Sequence, residues 1–143
     1  MIRSREIWVG LFPDNWERDW VLAFVQDPAY GALVVFEGHV RNRSKGKSVQ
    51  CLEFEAYEAM ALKEMEKIAL SAVVGFGIGR ICIFHRTGRL GIGDIPVLIA
   101  VSSAHRGEAF AACQWAIDTL KKDVPIWKKE IGEAGEEWVS DRP

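Results

Sequence analysis

The sequence predicts an α+β fold in which a mostly antiparallel sheet packs against amphipathic helices. Strand-like and helix-like segments follow one another in the order β-α-β-β-α-β-β-α, which differs from the regular alternation of a parallel, doubly wound sheet. Two of the helical segments carry apolar residues at three-and-four spacing. The chain has 143 residues, of which 49% are apolar and 27% charged. We therefore expect a single domain, residues 1–143, with a buried core.

The first strand is predicted at residues 7–11, and a helix follows it. Asp14 is the expected N-cap of this helix, because a carboxylate accepts hydrogen bonds from free backbone N–H groups. Trp16 and Trp20 lie on the apolar face of the helix. The helix is expected to end at Asp27-Pro28, because proline cannot continue a helix.

Two β-rich segments and a second helix follow. Residues 31–40 and 49–57 are rich in β-branched and aromatic residues and are predicted to be strands. The polar segment 41–47 between them is predicted to form a hairpin or a loop. Apolar residues at helical spacing predict a second helix over residues 58–73, and the glycines of residues 75–79 break the chain after it.

The third helix is preceded by two predicted strands, residues 80–85 and 95–102, which flank a turn at residues 91–94. We expect Ser103 to cap this helix, because its hydroxyl can accept from a free N–H group. Pro125 prevents the helix from continuing. Three-and-four spacing predicts the apolar face as Ala109, Phe110, Cys113, Ala116, Ile117 and Leu120.

Basic residues occupy both ends of the third helix. His105 and Arg106 fall in its first turn, where the helix dipole favours an anion and disfavours a cation. Lys121 and Lys122 fall in the last turn, where the dipole favours a cation, so no ligand is needed to explain them. Arg106 has no such explanation. We therefore expect an anion to bind near it.

Composition argues against several classes of partner. The formal net charge of −2 disfavours nucleic-acid binding, which requires a basic surface. No apolar run approaches the ~20 residues that span a bilayer, and residues 1–10 lack the apolar segment of a signal peptide. The cysteines Cys51, Cys82 and Cys113 are widely spaced and form no C-x-x-C pair. We expect no membrane association, no metal or other cofactor, and reduced thiols in a cytoplasmic protein.

Several short motifs occur together in a specific order. Residues 36–41 read Phe-Glu-Gly-His-Val-Arg, and residues 83–88 read Ile-Phe-His-Arg-Thr-Gly. His105-Arg106 and the segment 125–130, Pro-Ile-Trp-Lys-Lys-Glu, follow them. In this order and spacing the chain resembles the large, catalytic subunit of molybdopterin synthase over about residues 30–142. The resemblance implies an α/β hammerhead-type fold.

The resemblance also implies a sulfurtransferase activity. Enzymes of this family convert cyclic pyranopterin monophosphate into molybdopterin by installing two sulfurs as a dithiolene. A small ubiquitin-like subunit carries sulfur as a thiocarboxylate on its C-terminal Gly-Gly tail, which enters the pocket of the large subunit. The sulfur therefore belongs to the partner, and no cysteine of this chain needs to react.

Lys121 and Lys128 are the predicted catalytic residues. Spacing alone favours a simpler role, the attraction of an anion, and the resemblance is what assigns catalysis to them. Crowding with Arg41 and Arg106 favours the neutral form of a lysine, which allows it to exchange a proton or to stabilise a developing anion. The predicted substrate-binding set is His39, Val40, Arg41, His105, Arg106, Lys121, Lys128, Lys129, Glu130 and Arg142.

The third helix of a single chain cannot bring the basic residues at both of its ends to one small substrate. His105 and Lys121 are sixteen residues apart, which is about 24 Å along a helix. A pterin monophosphate is too short to touch both. We therefore expect one protomer to supply His105 and Arg106, and the other to supply Lys121 and Lys128. Such a homodimer with two small partners forms a heterotetramer.

Two other classes of function remain open from the sequence. The first is a sulfurtransferase that carries a persulfide on its own cysteine, with Cys113 as the candidate. Cys113 lies on the apolar face of the third helix and has no obvious activating neighbour, which argues against this class. The second is a non-catalytic module that binds phosphate ligands or the tail of a partner.

Overall fold

A computed structural model describes residues 1–139, so Arg142 lies outside the described residues. Three helices occur in this part of the chain: α1 (Arg18–Val25), α2 (Glu58–Phe76) and α3 (Arg106–Asp123). The strands are β1 (Ile2–Arg3), β2 (Ile7–Phe12), β3 (Ala32–Gly38), β4 (Arg43–Ser44), β5 (Lys47–Ser48), β6 (Cys51–Ala56), β7 (Arg80–Arg86), β8 (Gly88–Gly91), β9 (Val97–Ser103), β10 (Ile126–Gly132) and β11 (Gly135–Val139).

The main sheet has five strands in the order β1-β2-β7-β9-β3. Neighbouring strands within this sheet are antiparallel, except for β2 and β7, which run parallel to each other. Alternate residues of β7 point to opposite faces. Ile81 and Ile83 pack with α2 and α3, whereas Cys82 and Phe84 pack with α1. The sheet is therefore covered by helices on both faces.

A second, antiparallel sheet has the strand order β11-β10-β6-β8. Its apolar side contains Leu52, Phe54 and Leu90, which pack with Val40. Ile126 contacts this cluster and also the larger core beneath α2 and α3. These contacts join the second sheet to the rest of the fold, and the predicted α+β class with mostly antiparallel sheet is confirmed.

The two long helices follow the prediction from apolar spacing. Helix α2 extends past Gly75 to Phe76 and ends at Gly77, whose φ of 68° is a left-handed conformation that glycine adopts without strain. Helix α3 is continuous to Asp123 and stops before Pro125, as expected. The polar segment 41–47 forms the hairpin of β4 and β5 around Lys45 and Gly46, both at positive φ.

Both predicted N-caps are wrong. Helix α1 begins at Arg18, because the segment containing Asp14 is held as a loop. Arg86 donates from Nη1 to the side chain of Asn15, at 2.7 Å, and from Nη2 to a backbone carbonyl in the same loop. Ser103 remains in β9, paired with β3, and its Oγ donates to Glu108. His105 is the N-cap of α3 instead.

Two further expectations are corrected. Phe110 does not belong to the buried face of α3, because its side chain is 61% exposed. The strands β8, β10 and β11 were not expected, because none of them shows a regular alternation of apolar and polar residues. Pairing with β6 stabilises β8 and β10, and pairing with β10 stabilises β11.

Candidate active site

A cavity of about 720 Å³ lies between the main sheet, the C-terminal end of α3 and the second sheet. Its side chains come from the end of β3, from β6, from α3 and from β10 and β11. The apolar and aromatic part of the wall consists of Phe36, Leu52, Phe54, Pro96, Val97, Ile117, Leu120, Val124, Pro125, Ile126, Trp127, Trp138 and Val139. The basic part consists of His39, Arg41, His85, Lys121 and Lys128.

Lys121 reaches the cavity because it lies in the last turn of α3. Ile117, one turn earlier, and Leu120, the preceding residue, are buried in the core and fix the orientation of the helix. Lys121 itself is exposed and lines the cavity, whereas Lys122, the next residue, does not line it. The last turn of α3 therefore presents one of its two lysines to the cavity.

Lys128 and Lys129 lie on opposite faces of β10, because successive side chains of a strand alternate. Lys128 is paired in register with Phe54, which lines the cavity as Lys128 does. The Nζ atom of Lys129 lies 3.3 Å from a carboxylate oxygen of Glu136 and 3.8 Å from one of Glu53. Lys129 is therefore engaged in ion pairs and does not line the cavity.

The motif at residues 36–41 provides the opposite wall. Arg41 and His39 both line the cavity. Val40 between them is buried, its N–H donates to the carbonyl of Asp94, and its own carbonyl accepts from Gly93. The Val40 side chain thus has no access to a ligand in the cavity. Its packing and its two backbone hydrogen bonds instead hold His39 and Arg41 in place.

Glycine at position 38, which lines the cavity, allows β3 to pack closely against β9. A Cβ atom on Gly38 would lie 2.8 Å from Cγ1 of Val97, the residue paired with it on β9. Real Cβ atoms essentially never approach another heavy atom this closely. The close approach of β3 and β9 at this point places the chain just before His39 at the cavity wall.

Electrostatics of the cavity favour an anion. Among the described residues that line it, Arg41, Lys121 and Lys128 are basic, and Asp123 is the single carboxylate. The wall also contains the imidazoles of His39 and His85. Arginine can bind a phosphate through two parallel N–H bonds, and lysine supplies a compact positive charge. The arrangement suits a ligand with a negatively charged end and a flat, partly apolar body.

The structure does not bring His105 and Arg106 to this cavity. They lie at the N-terminal end of α3, and the cavity lies at its C-terminal end. Because α3 is unbroken, Arg106 and Lys121 are about 22 Å apart along the helix axis. Glu130 is half-buried on β10 and is paired with Leu52, and it does not line the cavity either.

His85 also lines the cavity, although its sequence context predicts only a structural, hydrogen-bonding role. Its ring is buried, its Nδ1 lies 2.7 Å from the carbonyl oxygen of Arg86, and it packs edge-on against Phe54. The hydrogen bond agrees with the structural expectation. Its place in the wall was missed, because the local sequence does not reveal which face of β7 meets the second sheet.

Two of the three cysteines, Cys82 and Cys113, lack the properties of a sulfur-carrying nucleophile. Burial raises the pKa of the Cys113 thiol from 9.0 to about 11, an effect only partly offset by a hydrogen bond with the backbone of Phe36. Burial also raises the pKa of Cys82 strongly, with a small opposing effect of Arg3. A protonated, buried thiol is a poor nucleophile. None of the cysteines lines the cavity.

Residues 1–139 contain no cluster of three or more histidine, cysteine, aspartate or glutamate side chains that could hold a metal ion. In the same part of the chain, no helix combines the length and apolar character needed to cross a membrane.

Comparison with known proteins identifies the family. A family model described as "MoaE protein" matches residues 13–123, which is most of the chain. The chain belongs to the MoaE protein family. It is similar to the molybdopterin synthase catalytic subunit of Nostoc sp., with 50% identity over 120 residues, 82% of this chain and 73% of that protein. The corresponding subunit of Pyrococcus abyssi is 42% identical over 127 residues, 89% of this chain and 86% of that protein.

The MoaE fold is also evident from solved structures. The crystal structure of molybdopterin synthase from Staphylococcus aureus superposes with a TM-score of 0.85 at 40% sequence identity, covering 96% of this chain and 98% of that chain. The resemblance recognised in the sequence motifs is thereby confirmed. In this MoaE chain, four residues of the predicted substrate-binding set line one cavity: His39, Arg41, Lys121 and Lys128.

Proposed function

We propose that this chain is the catalytic subunit of a molybdopterin synthase, a sulfurtransferase that converts cyclic pyranopterin monophosphate into molybdopterin. The observation that carries the proposal is the convergence of Arg41, Lys121 and Lys128 on one cavity whose wall is otherwise largely apolar and aromatic. The cations match the cyclic phosphate of the substrate, and the aromatic side chains match its flat pterin ring. Family membership supports the same activity.

The sulfur comes from a partner in this proposal. A small ubiquitin-like subunit presents the thiocarboxylate of its C-terminal Gly-Gly tail to the cavity, and the thiocarboxylate sulfur acts as the nucleophile. Water then cleaves the bond between this sulfur and the tail carbonyl, which leaves the sulfur on the pterin and a carboxylate on the tail. Burial of Cys82 and Cys113 supports this assignment over a persulfide on the chain itself. Because the thiols Cys51, Cys82 and Cys113 are unpaired, we place the reaction in the cytoplasm, where thiols stay reduced.

Lys121 and Lys128 are the proposed catalytic residues. They approach the cavity from α3 and from β10, so a substrate held between them is exposed to both ammonium groups. Such groups stabilise the negative charge that develops as sulfur adds and water leaves. A protonated lysine can also donate its proton to the leaving oxygen, which then departs as water. Arg41 and His39 are proposed to hold the substrate.

The proposed assembly is a homodimer with two composite sites, bound by two small partners. One protomer supplies the cavity, and the other supplies His105 and Arg106 from the N-terminal end of its α3. The unbroken helix and the exposed positions of His105 and Arg106 support this arrangement. Phe110 supports it too, because it is exposed one turn from Arg106, where a second copy can cover it. Lys129, Glu130 and Arg142 remain proposed binding residues.

The test is reconstitution. We expect the purified chain, mixed with a thiocarboxylated Gly-Gly partner and cyclic pyranopterin monophosphate, to form the dithiolene. The Lys121→Ala variant is expected to lose this activity, and the Lys122→Ala variant, changed at the adjacent lysine outside the cavity wall, is expected to retain it. Partner binding without dithiolene formation by the wild-type chain would identify a non-catalytic binding module and contradict the proposal.

A further inference from the structure

A carboxylate links the first turn of α1 to the cavity wall. Glu37, in β3, lies with Oε2 3.0 Å from Nε of Arg18 and with Oε1 3.4 Å from Nε2 of His39. The Glu37 side chain is 15% exposed, compared with 54% for His39. Glu37 does not line the cavity, whereas His39 does. Any effect of Glu37 on a ligand in the cavity is therefore exerted through His39.

The contact favours the form of His39 that carries a proton on Nε2. An ionised carboxylate only accepts hydrogen bonds, so the hydrogen between Glu37 and His39 belongs to Nε2. A neutral imidazole has one donor and one acceptor nitrogen, and the hydrogen bond made by one nitrogen sets the role of the other. Nδ1 of His39 is therefore the acceptor in the neutral ring.

An acceptor complements the other polar groups of this wall. Arg41, Lys121 and Lys128 are donors, which suit the oxygens of a phosphate. The amino and ring N–H groups of a pterin require acceptors instead. A site that leaves such groups unpaired on binding loses affinity, because their contacts with water are not replaced.

We propose that Glu37 is a positioning residue that fixes His39 in the Nε2–H tautomer, so that Nδ1 accepts a hydrogen bond from an N–H group of the pterin ring. The identity of this ligand rests on the proposed function. His39 thereby distinguishes the pterin end of the substrate from its phosphate end, and Glu37 contributes to affinity without touching the substrate.

A purely structural role for Glu37 gives different expectations. In that case its ion pair with Arg18 fastens α1 to β3, and loss of either partner has the same effect. The Arg18 side chain is 62% exposed, and exposed ion pairs contribute little to stability. Arg18→Ala is therefore the matched control, and Glu64→Ala, which removes the carboxylate of a surface ion pair on α2, is a second.

The experiment is a double-mutant cycle on KM and kcat in the reconstituted enzyme. We expect Glu37→Ala and His39→Ala each to raise KM for the pterin roughly three- to tenfold with kcat nearly unchanged. The double variant is expected to be no worse than His39→Ala alone. Glu37→Gln, whose amide oxygen can still accept from Nε2, is expected to restore most of the affinity. Both control variants are expected to behave as wild type.

A second measurement uses the imidazole ¹⁵N signals of the wild-type chain, with His39 assigned by comparison with a His39→Gln variant. We expect a protonated Nε2 and an unprotonated Nδ1 in the neutral ring, and a mixture of tautomers in Glu37→Ala. Three results would each overturn the proposal. The first is additive effects of Glu37→Ala and His39→Ala on KM, and the second is an effect of Arg18→Ala on KM equal to that of Glu37→Ala. The third is the Nδ1–H tautomer of His39 in the wild type. A wild-type chain that forms no dithiolene contradicts the proposed function, and the ¹⁵N signals then decide the role of Glu37 separately.

Discussion

Lys121 and Lys128 line the same cavity although they belong to different elements, the last turn of α3 and the middle of β10. The connection between these elements contains Val124, which is buried, and Pro125, which ends the helical conformation. The backbone N–H of Tyr57 donates to the carbonyl of Pro125 and ties the connection to the second sheet. The two lysines are therefore held in a fixed relationship by packed backbone.

Lys121→Ala is expected to reduce dithiolene formation by about 10²- to 10³-fold, the usual effect of removing one group that stabilises charge in a transition state. Binding of the small partner is expected to persist, because its tail contacts a larger surface than one side chain. Single-turnover kinetics with the thiocarboxylated partner measure the first effect, and co-purification measures the second. Near-normal turnover of this variant would show that the catalytic assignment of Lys121 is wrong.

Arg106→Ala is expected to weaken affinity for the pterin phosphate. Loss of a charge-assisted hydrogen bond costs about 1.5–3 kcal/mol, or roughly 10- to 150-fold in affinity. Equilibrium binding of the substrate to the chain measures this directly. Arg43→Ala, which removes an exposed arginine of the β4–β5 hairpin, is the matched control and is expected to bind normally. Unchanged affinity in Arg106→Ala would remove this residue from the site.

Mixing two inactive variants tests whether the site is shared between protomers. Arg106→Ala and Lys121→Ala subunits are expected to regain activity when they exchange, because one of the two sites in a mixed dimer contains neither substitution. Up to half of the wild-type activity per mixed dimer is expected. Activity that stays absent after mass spectrometry has confirmed mixed dimers would contradict the shared site.

Removal of every thiol is expected to preserve turnover. A Cys51→Ser, Cys82→Ser, Cys113→Ser variant retains the cavity wall, since none of the three residues lines it. Burial of Cys82 and Cys113 makes their replacement destabilising, so the fold is checked first by circular dichroism and thermal unfolding. A well-folded variant with no activity would support the persulfide class instead.

The Cys113 thiol also makes stability depend on pH. Its pKa is about 11 in the folded chain and 9.0 for a free thiol, so above pH 9 the unfolded chain loses a proton that the folded chain keeps. Linkage then lowers the free energy of unfolding as pH rises. Urea unfolding at pH 8 and at pH 10.5 is expected to show this fall. The control variant replaces both Cys82 and Cys113 by alanine, because burial raises the pKa of Cys82 as well. Its free energy of unfolding is expected to fall less between the two pH values.

The sequence by itself determined the long helices and the chemical type of the site. Apolar residues at helical spacing specify α2 and α3, because this spacing buries one face of a helix wherever it packs. Pro125 specifies the end of α3 by local geometry alone. The motif residues His39, Arg41, Lys121 and Lys128 were all recognisable before the fold was known, because charge and motif order are properties of the chain.

Only the tertiary structure decided which of these residues meet. Strand β10 forms by pairing with β6, whose residues lie 70 to 80 positions earlier in the chain, and this pairing directs Lys128 into the cavity and Lys129 away from it. Because α3 is one continuous helix, Arg106 lies at the end opposite to the cavity. Glu37 meets Arg18, at the start of α1, because β3 lies beside α1 at that point. Such juxtapositions depend on contacts between distant segments, and local spacing does not encode them.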